Sequence, residues 1–383
     1  MQTCLVAVVV LYATAAHAAT FVVDRYDDDN GSCTVGDCTL REALLAAEAT
    51  PEIDTVMLPP GQHTLSIPET TPPSLFGGDL EIVDFDVDVT APEGATVDAQ
   101  RTDRVFRFVS SNSRLENLEI TGGFTPDDIG GGVYVVSSDV ELSNLWIHDN
   151  EAGIGGGIAF EIGTVLLSNS AVTDNESLNH AGGIYQFGVT NIAEAHLEVR
   201  NTTISGNVAR TAGGATAAFG ASFLVMEYTT VANNTNRSGD RTMFGFLFNP
   251  RVEVLYSIVE GTCIAGIEAS CIYLTSTVDD VPVSDLGLEP LALNGGFSPT
   301  HRLQASSPAL DVVPVGATCP PSDQRGFVRP VDGDGDDVAT CDAGAFELLP
   351  SETPVAVPAL SPHGLVVLIV LFMAAAVRRV SLG

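Results

Sequence analysis

Lysine is absent from this chain of 383 residues, and all sixteen of its basic residues are arginines. The chain therefore has no lysine base, no Schiff base and no lysine for a phosphate-binding loop. The sixteen arginines are outnumbered by 49 acidic residues, which gives a net charge of -33. A surface of this charge repels phosphate backbones and anionic membranes. We therefore expect no nucleic-acid partner.

Two common catalytic motifs, HExxH and GxSxG, are also missing. The strongest catalytic candidates that remain are Asp127 and Asp128, because paired carboxylates can act as acid and base on a glycosidic bond. A solvated turn is the alternative interpretation of this pair. A polysaccharide lyase would instead need Ca²⁺ and an arginine base, and Arg200, Arg210 and Arg237 lie on repeats that could share a face.

Charged side chains are missing from the first nineteen residues. An apolar run from Leu5 to Leu11 leads into Ala16-His17-Ala18, a pattern of small residues that is typical of signal-peptide cleavage sites. We assign residues 1–18 to a signal peptide. The protein is therefore expected to be exported into an oxidising compartment.

The C-terminal end combines a linker with a short apolar tail. Residues 350–364 are rich in Pro, Ser and Thr, which is typical of a linker. In the tail, residues 365–383, an apolar run of thirteen residues is followed by Arg378 and Arg379. A helix of that length spans about 20 Å, against a hydrocarbon core of about 30 Å. We expect membrane contact only through this tail.

Six cysteines remain when Cys4 is removed with the signal peptide. They fall into three pairs that are close in sequence, and short loops are the least costly to close. We predict three disulfides, namely Cys33 with Cys38, Cys263 with Cys271, and Cys319 with Cys341. Metal binding is the alternative, but no pair has CxxC spacing and no His is adjacent.

One pattern is repeated six times between residues 115 and 262: an apolar residue, a spacer, a polar or aromatic residue, two spacers, and Ile or Val. Successive third positions are 27, 25, 32, 27 and 28 residues apart. Such a period indicates a solenoid. The six copies are Leu115-x-Asn117-x-x-Ile120, Leu142-x-Asn144-x-x-Ile147, Leu167-x-Asn169-x-x-Val172, Val199-x-Asn201-x-x-Ile204, Met226-x-Tyr228-x-x-Val231 and Val254-x-Tyr256-x-x-Val259.

Four of the copies have Asn six residues after the third position, and Gly-Gly occurs at 131, 156, 182 and 213, where we expect corners. Gly and Asn tolerate the left-handed backbone that such corners need. Short β stretches and no helical period between the corners predict an all-β, right-handed parallel β-helix. A leucine-rich repeat is the rival solenoid, but its leucines and helices are absent. The corner residues Asn150, Asn175, Asn207 and Asn234 are expected to form a structural asparagine ladder.

Residues 38–48, with the sequence CTLREALLAAE, predict a helix that caps the open end of the solenoid. Thr39 is placed as N-cap and Glu42 follows three residues later, which makes a capping box. This stretch resembles the CSLREA domain, which is found at the start of bacterial exported β-helix proteins, with Thr39 in place of the motif's Ser. The likeness spans about residues 20–65.

Two further resemblances lie towards the C-terminus. Ser307-Pro308-Ala309-Leu310-Asp311, Asp323–Pro330 and Cys341–Glu347 are similar to the choice-of-anchor Q domain. Val357–Gly364 resembles the IPTL-CTERM sorting signal, with Ala359 where that signal has Thr and His363 where it has Trp. These resemblances imply export, a pectin-lyase-like β-helix and display at the cell surface. They imply no defined reaction.

A loop near the C-terminus offers carboxylates at alternate positions, which suits a hard cation such as Ca²⁺. We predict the metal ligands Asp332, Asp334, Asp336 and Asp337. The twelfth position of an EF-hand count is Ala343 and not Glu, so the loop is not a complete EF-hand. An acidic turn closed by the disulfide between Cys319 and Cys341 is the alternative.

The expected organisation is a signal peptide (1–18), an N-terminal CSLREA-like cap (19–52), the parallel β-helix (53–290), an anchor-like region (291–349), a linker (350–364) and a sorting tail (365–383). We expect a monomer at the cell surface or outer membrane, or secreted after removal of the tail. The first hypothesis is a non-catalytic adhesin or binder of polysaccharide or cell-surface glycan. The alternative is a pectin-lyase-like polysaccharide lyase or glycoside hydrolase, which the fold supports only by analogy.

Overall fold

The computed structural model describes residues 17–69, 74–189, 193–237, 251–260 and 283–350. Between these ranges it describes the backbone of four strands, Thr242–Leu247, Thr262–Ile264, Ser270–Tyr273 and Val278–Asp279. The signal peptide, apart from residues 17 and 18, and the C-terminal tail lie outside the described residues. No helix in the described part of the chain is long and apolar enough to cross a membrane.

The chain winds into a parallel β-solenoid, which confirms the predicted fold. Each full turn, here called a coil, passes through three faces, and each strand pairs in parallel with the equivalent strand one coil away. The strands Val87–Asp98 and Asn112–Thr121 bend from face B onto face C, while Val133–Ser143 and Ile158–Ser168 bend from face A onto face B.

The remaining strands belong to one face each, and a small fourth sheet lies between faces C and A. Face A contains Leu80–Val83, Phe106–Val109, Ile184–Gly188, Thr216–Gly220, Thr242–Leu247 and Thr262–Ile264. Face B contains Thr20–Val22, Asp54–Met57, Ala195–Arg200, Ser222–Glu227, Arg251–Leu255 and Ser270–Tyr273. Face C contains Gln62–Thr64, Trp146–His148, Ala171–Thr173, Thr203–Ser205, Thr230–Ala232, Ile258–Val259 and Val278–Asp279. The small sheet contains Phe124–Ile129, Glu151–Ile154, Glu176–Ser177, Val208–Ala209 and Thr235–Asn236.

The apolar positions of the six sequence copies form the core. All twelve, from Leu115 and Ile120 to Val254 and Val259, are at most 1% exposed. Burying one such side chain contributes about 1.5–3 kcal/mol relative to leaving it in water. One coil cannot bury these residues by itself, so the stack of coils is the stable unit.

The third position of each copy is the corner between faces B and C. The backbone there is left-handed in all six copies, with φ between 46° and 59°. Four of these residues are Asn, which adopts this conformation more easily than most residues. Tyrosine does not favour this left-handed conformation. The rings of Tyr228 and Tyr256 pack together with centroids 5.2 Å apart.

The predicted asparagine ladder is present at the next corner. The side-chain Nδ2 of Asn150 donates to Oδ1 of Asn175 at 3.0 Å, Asn175 donates to Asn207 at 3.0 Å, and Asn207 donates to Asn234 at 2.9 Å. Each Oδ1 also accepts the backbone N–H of the preceding Asn. All four side chains are buried. The ladder therefore satisfies buried polar groups along the solenoid, as a structural column should.

The N-terminal helix α1, Leu40–Glu48, begins with the predicted capping box between Thr39 and Glu42. It packs against strands Thr20–Val22 and Asp54–Met57. These two strands pair with each other, so the parallel sheet already includes part of the segment 19–52 that the sequence assigns to the cap. The buried guanidinium of Arg41 contacts Asp28 at 2.7 Å and donates to the carbonyl oxygens of three residues, Leu75, Gly78 and Asp79.

The C-terminal segment follows helix α2, Val283–Leu286, and residues 287–349 fold back over face C. Oγ1 of Thr203 donates to Oε1 of Gln324 at 2.7 Å, and Oγ of Ser205 lies 2.8 Å from Nε2 of His301. Further along the face, the backbone N–H of Ala345 donates to Oγ1 of Thr230. The outward side chains of these face C strands are therefore buried, and this part of face C is closed to solvent.

Buried ion pairs hold the C-terminal segment together. Arg325 pairs with Asp323 at 2.8 Å, Arg329 pairs with Glu347 at 3.3 Å, and all four side chains are fully buried. Burial raises the pKa of Glu347 to about 8, although the Arg329 charge opposes this shift. These residues belong to the stretches that resemble the choice-of-anchor Q domain, and here they form the interior of the segment.

Two of the three predicted disulfides are confirmed, Cys33–Cys38 and Cys319–Cys341. The first lies directly before helix α1, and the second joins two parts of the C-terminal segment. The side chains of Cys263 and Cys271 are outside the described part of the structure, so their pairing stays a prediction.

Candidate functional site

Face B is polar. The C-terminal segment folds over face C and meets face B only near the corner between the two faces. Because side chains alternate along a strand, the residues directly before and after the first apolar residue of each sequence copy point outward. They form two columns that run along the solenoid. The first column is Asp88, Arg114, Glu141, Leu166, Glu198, Val225 and Glu253, and the second is Thr90, Glu116, Ser143, Ser168, Arg200, Glu227 and Leu255.

The arginines of face B are paired with carboxylates on their own strand and, for two of them, on the next coil. Arg114 lies 3.1 Å from Glu116 and 3.9 Å from Glu141. Arg200 pairs with Glu198 and lies 3.2 Å from Glu227, and Arg251 pairs with Glu253. The acidic residues outnumber the arginines in both columns, so the positive charges are compensated and the face remains negative.

A shallow groove of about 430 Å³, open to solvent, lies on face B around Arg114. Asp88 and Glu141 lie on either side of it, on the preceding and following coils. The rest of the lining is Asn112, Ser113, Asp139, Val140, Thr164 and Leu166. The backbone N–H of Thr164 donates to Oδ1 of Asp139 at 2.8 Å. The groove thus combines hydrogen-bonding groups, one guanidinium and two apolar residues, which suits a hydroxyl-rich ligand.

Burial in the groove raises the pKa of Asp88. The positive charge of Arg114 lowers this pKa, whereas the negative charge of Glu141 raises it further. Asp88 therefore holds a proton more readily than an ordinary surface aspartate.

The predicted catalytic pair lies elsewhere. Asp127 and Asp128 are exposed on strand Phe124–Ile129 of the small sheet and do not line the groove. Asp128 lies 3.0 Å from Arg104, which also binds the buried Asp79 at 2.7 Å. Burial raises the pKa of Asp79 to about 7, with contributions from nearby carboxylates and opposition from Arg104. The exposed carboxylate of Asp128 thus balances the positive charge of the buried Arg104.

The three arginines suggested as a lyase base do not lie on one face. Arg200 lies on face B and is paired with two glutamates. Arg237 pairs with Glu176 of the small sheet, and Arg210 directly follows strand Val208–Ala209 of the same sheet. The face C strand Thr203–Ser205 lies between Arg200 and Arg210 in the chain, so Arg200 is on a different side of the solenoid from the other two arginines.

The predicted metal ligands are only partly brought together. Ligand atoms of Asp332 and Asp334 lie within 4.8 Å of each other and of Asp311, which the sequence analysis did not include. Asp336 and Asp337 are outside this group. Their backbone N–H groups donate to Asp334 and Asp332, so these positions shape the turn around the carboxylates. Asp311 ends the Ser-Pro-Ala-Leu-Asp stretch, and the resemblance of that stretch to the choice-of-anchor Q domain was the available signal.

The calcium prediction can be tested at Asp311, where Oδ2 also accepts the backbone N–H groups of Gly333 and Asp334. If Ca²⁺ binds, a concentration of about one hundred times Kd stabilises the native state by about 2.7 kcal/mol. We expect Ca²⁺ to raise the melting temperature of the natural protein but not of Asp311→Asn. The exposed Asp127→Asn is the control and should respond like the natural protein. An equal response in Asp311→Asn would contradict the prediction.

Two solved structures match the fold. The crystal structure of pectate lyase Pel9A matches with a TM-score of 0.39 and 14% identity, covering 87% of this chain and 97% of that chain. The crystal structure of Escherichia coli YbhC matches with a TM-score of 0.36 and 11% identity, covering 69% of this chain and 74% of that chain. No protein-family model and no curated protein matches the sequence. The likeness concerns a pectate-lyase-like parallel β-helix fold and no activity.

Proposed function

We propose that this chain is an exported, cell-surface β-helix protein that binds polysaccharide along face B without cleaving it. The observation that carries the proposal is the Arg114 groove on an open polar face whose arginines are compensated by carboxylates. The two described disulfides support export, because such bonds persist in oxidising compartments. The CSLREA, choice-of-anchor Q and IPTL-CTERM resemblances support display at the cell surface.

The charge of face B restricts the class of polysaccharide. A polyuronate would bring further carboxylates to a face where acidic residues already exceed arginines, and like charges repel. To bind such a ligand, each arginine would have to give up its ion pair with a carboxylate of the protein and form one with a carboxylate of the ligand. This exchange contributes little to the free energy of binding. Face B is therefore better suited to neutral glycans or to glycans that carry amino groups.

A glycoside hydrolase is the second candidate, and the raised pKa of Asp88 favours it. Asp88 and Glu141 are separated by the strand that carries Arg114, so their backbones are about two strand spacings, roughly 9.5 Å, apart. An inverting hydrolase needs a water molecule between an acid and a base at a similar separation of carboxyl groups. Arg114 lies between these two residues, which is why binding without cleavage is the better-supported function.

The binding proposal predicts that Arg114→Gln weakens binding of a neutral or amino-group-bearing polysaccharide at least tenfold, a loss of about 1.4 kcal/mol. The substitution removes the guanidinium from the groove and leaves Asp88, Glu116 and Glu141 uncompensated. Binding is measured on a glycan array and then by titration of the strongest ligand. The control is Arg101→Gln, which breaks a comparable exposed ion pair with Glu151 outside face B.

Two results would count against the binding proposal. Preferential binding of polyuronates would contradict the charge argument, and equal loss of binding in both variants would remove the groove as the site. Release of reducing sugars from the bound polysaccharide, lost in Asp88→Asn, would instead support the hydrolase.

A further inference from the structure

A second, smaller pocket of about 230 Å³ lies where the corner between faces B and C meets the C-terminal segment. Asn201, Arg200, Glu227 and Tyr228 line it from the solenoid, while Thr318 lines it from the C-terminal segment. Its volume is below the range of about 300–1,000 Å³ that is usual for drug-sized ligands. The pocket is therefore of a size for one small polar molecule.

Asn201 carries an unusual feature in this pocket. Its Nδ2 donates to the backbone oxygen of Ser322 at 2.9 Å and to Oδ1 of Asn169, one coil earlier, at 3.3 Å. The residue is only 7% exposed, and its Oδ1 is buried without a hydrogen-bond partner among the described residues. Buried acceptors are rarely left without a donor, so this atom needs an explanation.

The cause is a change of residue type along the corner column. One coil later, where an Asn could donate to Asn201, the sequence has Tyr228. The hydroxyl of Tyr228 donates to the backbone oxygen of Thr318 at 3.0 Å and is already used. The interruption of the Asn column thus leaves Oδ1 of Asn201 without its donor, in a residue that lines the pocket at the point where the C-terminal segment forms the opposite wall.

We infer that this pocket binds a single neutral sugar unit, with a hydroxyl group donating to Oδ1 of Asn201. The Arg200–Glu227 pair lies at the same pocket, half exposed, and offers a donor and an acceptor to the remaining hydroxyl groups. A sugar satisfies all of these groups because each hydroxyl both donates and accepts. An anionic ligand is disfavoured because its charge meets the carboxylate of Glu227, which also lines the pocket.

This inference deepens the proposed function and rests on it for the wider role of the site. Ser168 lines the pocket, while Thr164 and Leu166 of the same strand line the Arg114 groove. The pocket and the groove are therefore neighbours on face B. A glycan chain in the groove can place a terminal or branching sugar unit in the pocket, which gives the protein selectivity for chain ends or branches.

The test is Thr318→Trp, which fills the pocket from an exposed position and keeps the backbone oxygen that binds Tyr228. Glucose, galactose, mannose and N-acetylglucosamine are titrated into the full chain and followed by saturation-transfer NMR. We expect at least one of them to bind the natural protein and to lose affinity at least tenfold in Thr318→Trp. Val315→Trp is the control, since Val315 is 81% exposed and does not line the pocket.

A second variant, Asn201→Gly, removes the acceptor but permits the left-handed backbone at this corner. It should also abolish sugar binding, and its melting curve shows whether it is folded. The inference is overturned if none of the four sugars binds, or if Thr318→Trp binds them like the natural protein. Arg114→Gln separates the two proposals: it should weaken polysaccharide binding and leave binding of the single sugar unchanged.

Discussion

Replacing Arg325 by Met is expected to lower the free energy of unfolding by about 3–5 kcal/mol, the usual cost of breaking a buried ion pair. Arg325 is fully buried, pairs with Asp323 at 2.8 Å, and donates to the backbone oxygen of Glu347 at 2.6 Å. Its guanidinium also stacks on Phe346, with its centre 3.5 Å from the ring centroid. Methionine keeps the packing approximately but leaves the carboxylate of Asp323 buried without its cation.

Urea unfolding followed by far-UV circular dichroism measures this loss of stability. The control is Arg251→Met, since Arg251 forms an ion pair with Glu253 on the surface and is 61% exposed. Exposed ion pairs contribute about 0–1 kcal/mol, so this variant should stay close to the natural protein. If both variants lost the same small amount, the buried ion pairs would not hold the C-terminal segment.

The second large effect is expected at the centre of the asparagine ladder. Asn175→Ala should destabilise the protein by about 2–6 kcal/mol, from hydrogen bonds worth about 0.5–1.5 kcal/mol each. Four bonds are lost: Asn175 donates to Asn207 and to the carbonyl oxygen of Ile147, and accepts from the backbone and side chain of Asn150. The groups that bonded to Asn175 stay buried without partners, because the alanine side chain forms no hydrogen bonds and the corner is closed to water.

The same unfolding measurement applies to this variant, with Asn179→Ala as the matched control. Asn179 is exposed in the same coil, and its backbone N–H keeps the bond to Oγ of Ser177 in the variant. A change within about 0.5 kcal/mol is expected for such a surface position. Equal stability of Asn175→Ala and Asn179→Ala would show that the ladder is dispensable.

The coil and its corners could be predicted because their causes are local and periodic. Leu115, Leu142 and their equivalents recur at the spacing of one coil, and burial of a single column requires the coils to stack. The Asn column could be placed in the same way, since each corner needs a residue that satisfies buried backbone groups. The disulfide Cys33–Cys38 closes a loop of only five residues in sequence separation.

The candidate site depends on contacts between distant parts of the chain, which periodicity does not reveal. The repeat pattern begins one residue after Arg114 and Glu141 and so leaves them out, although their column can be read as the residue before each first apolar position. The C-terminal segment decides which columns of side chains remain exposed to solvent. It does so through contacts such as the hydrogen bond from Thr203 to Gln324, which joins residues 121 positions apart. Asp311 was missed for the same reason, because a turn brings it to Asp332 from a separate motif.

The central claim is that glycan binds along face B, and a crystal structure of the complex tests it most directly. Crystals of the chain are grown with an oligosaccharide taken from the strongest polysaccharide on the array. Density for sugar units in the groove between Asp88 and Glu141, continuing towards Asn201, is the predicted result. Density at Arg104 and Asp128 or on another face, with the Arg114 groove holding only water, would contradict the account.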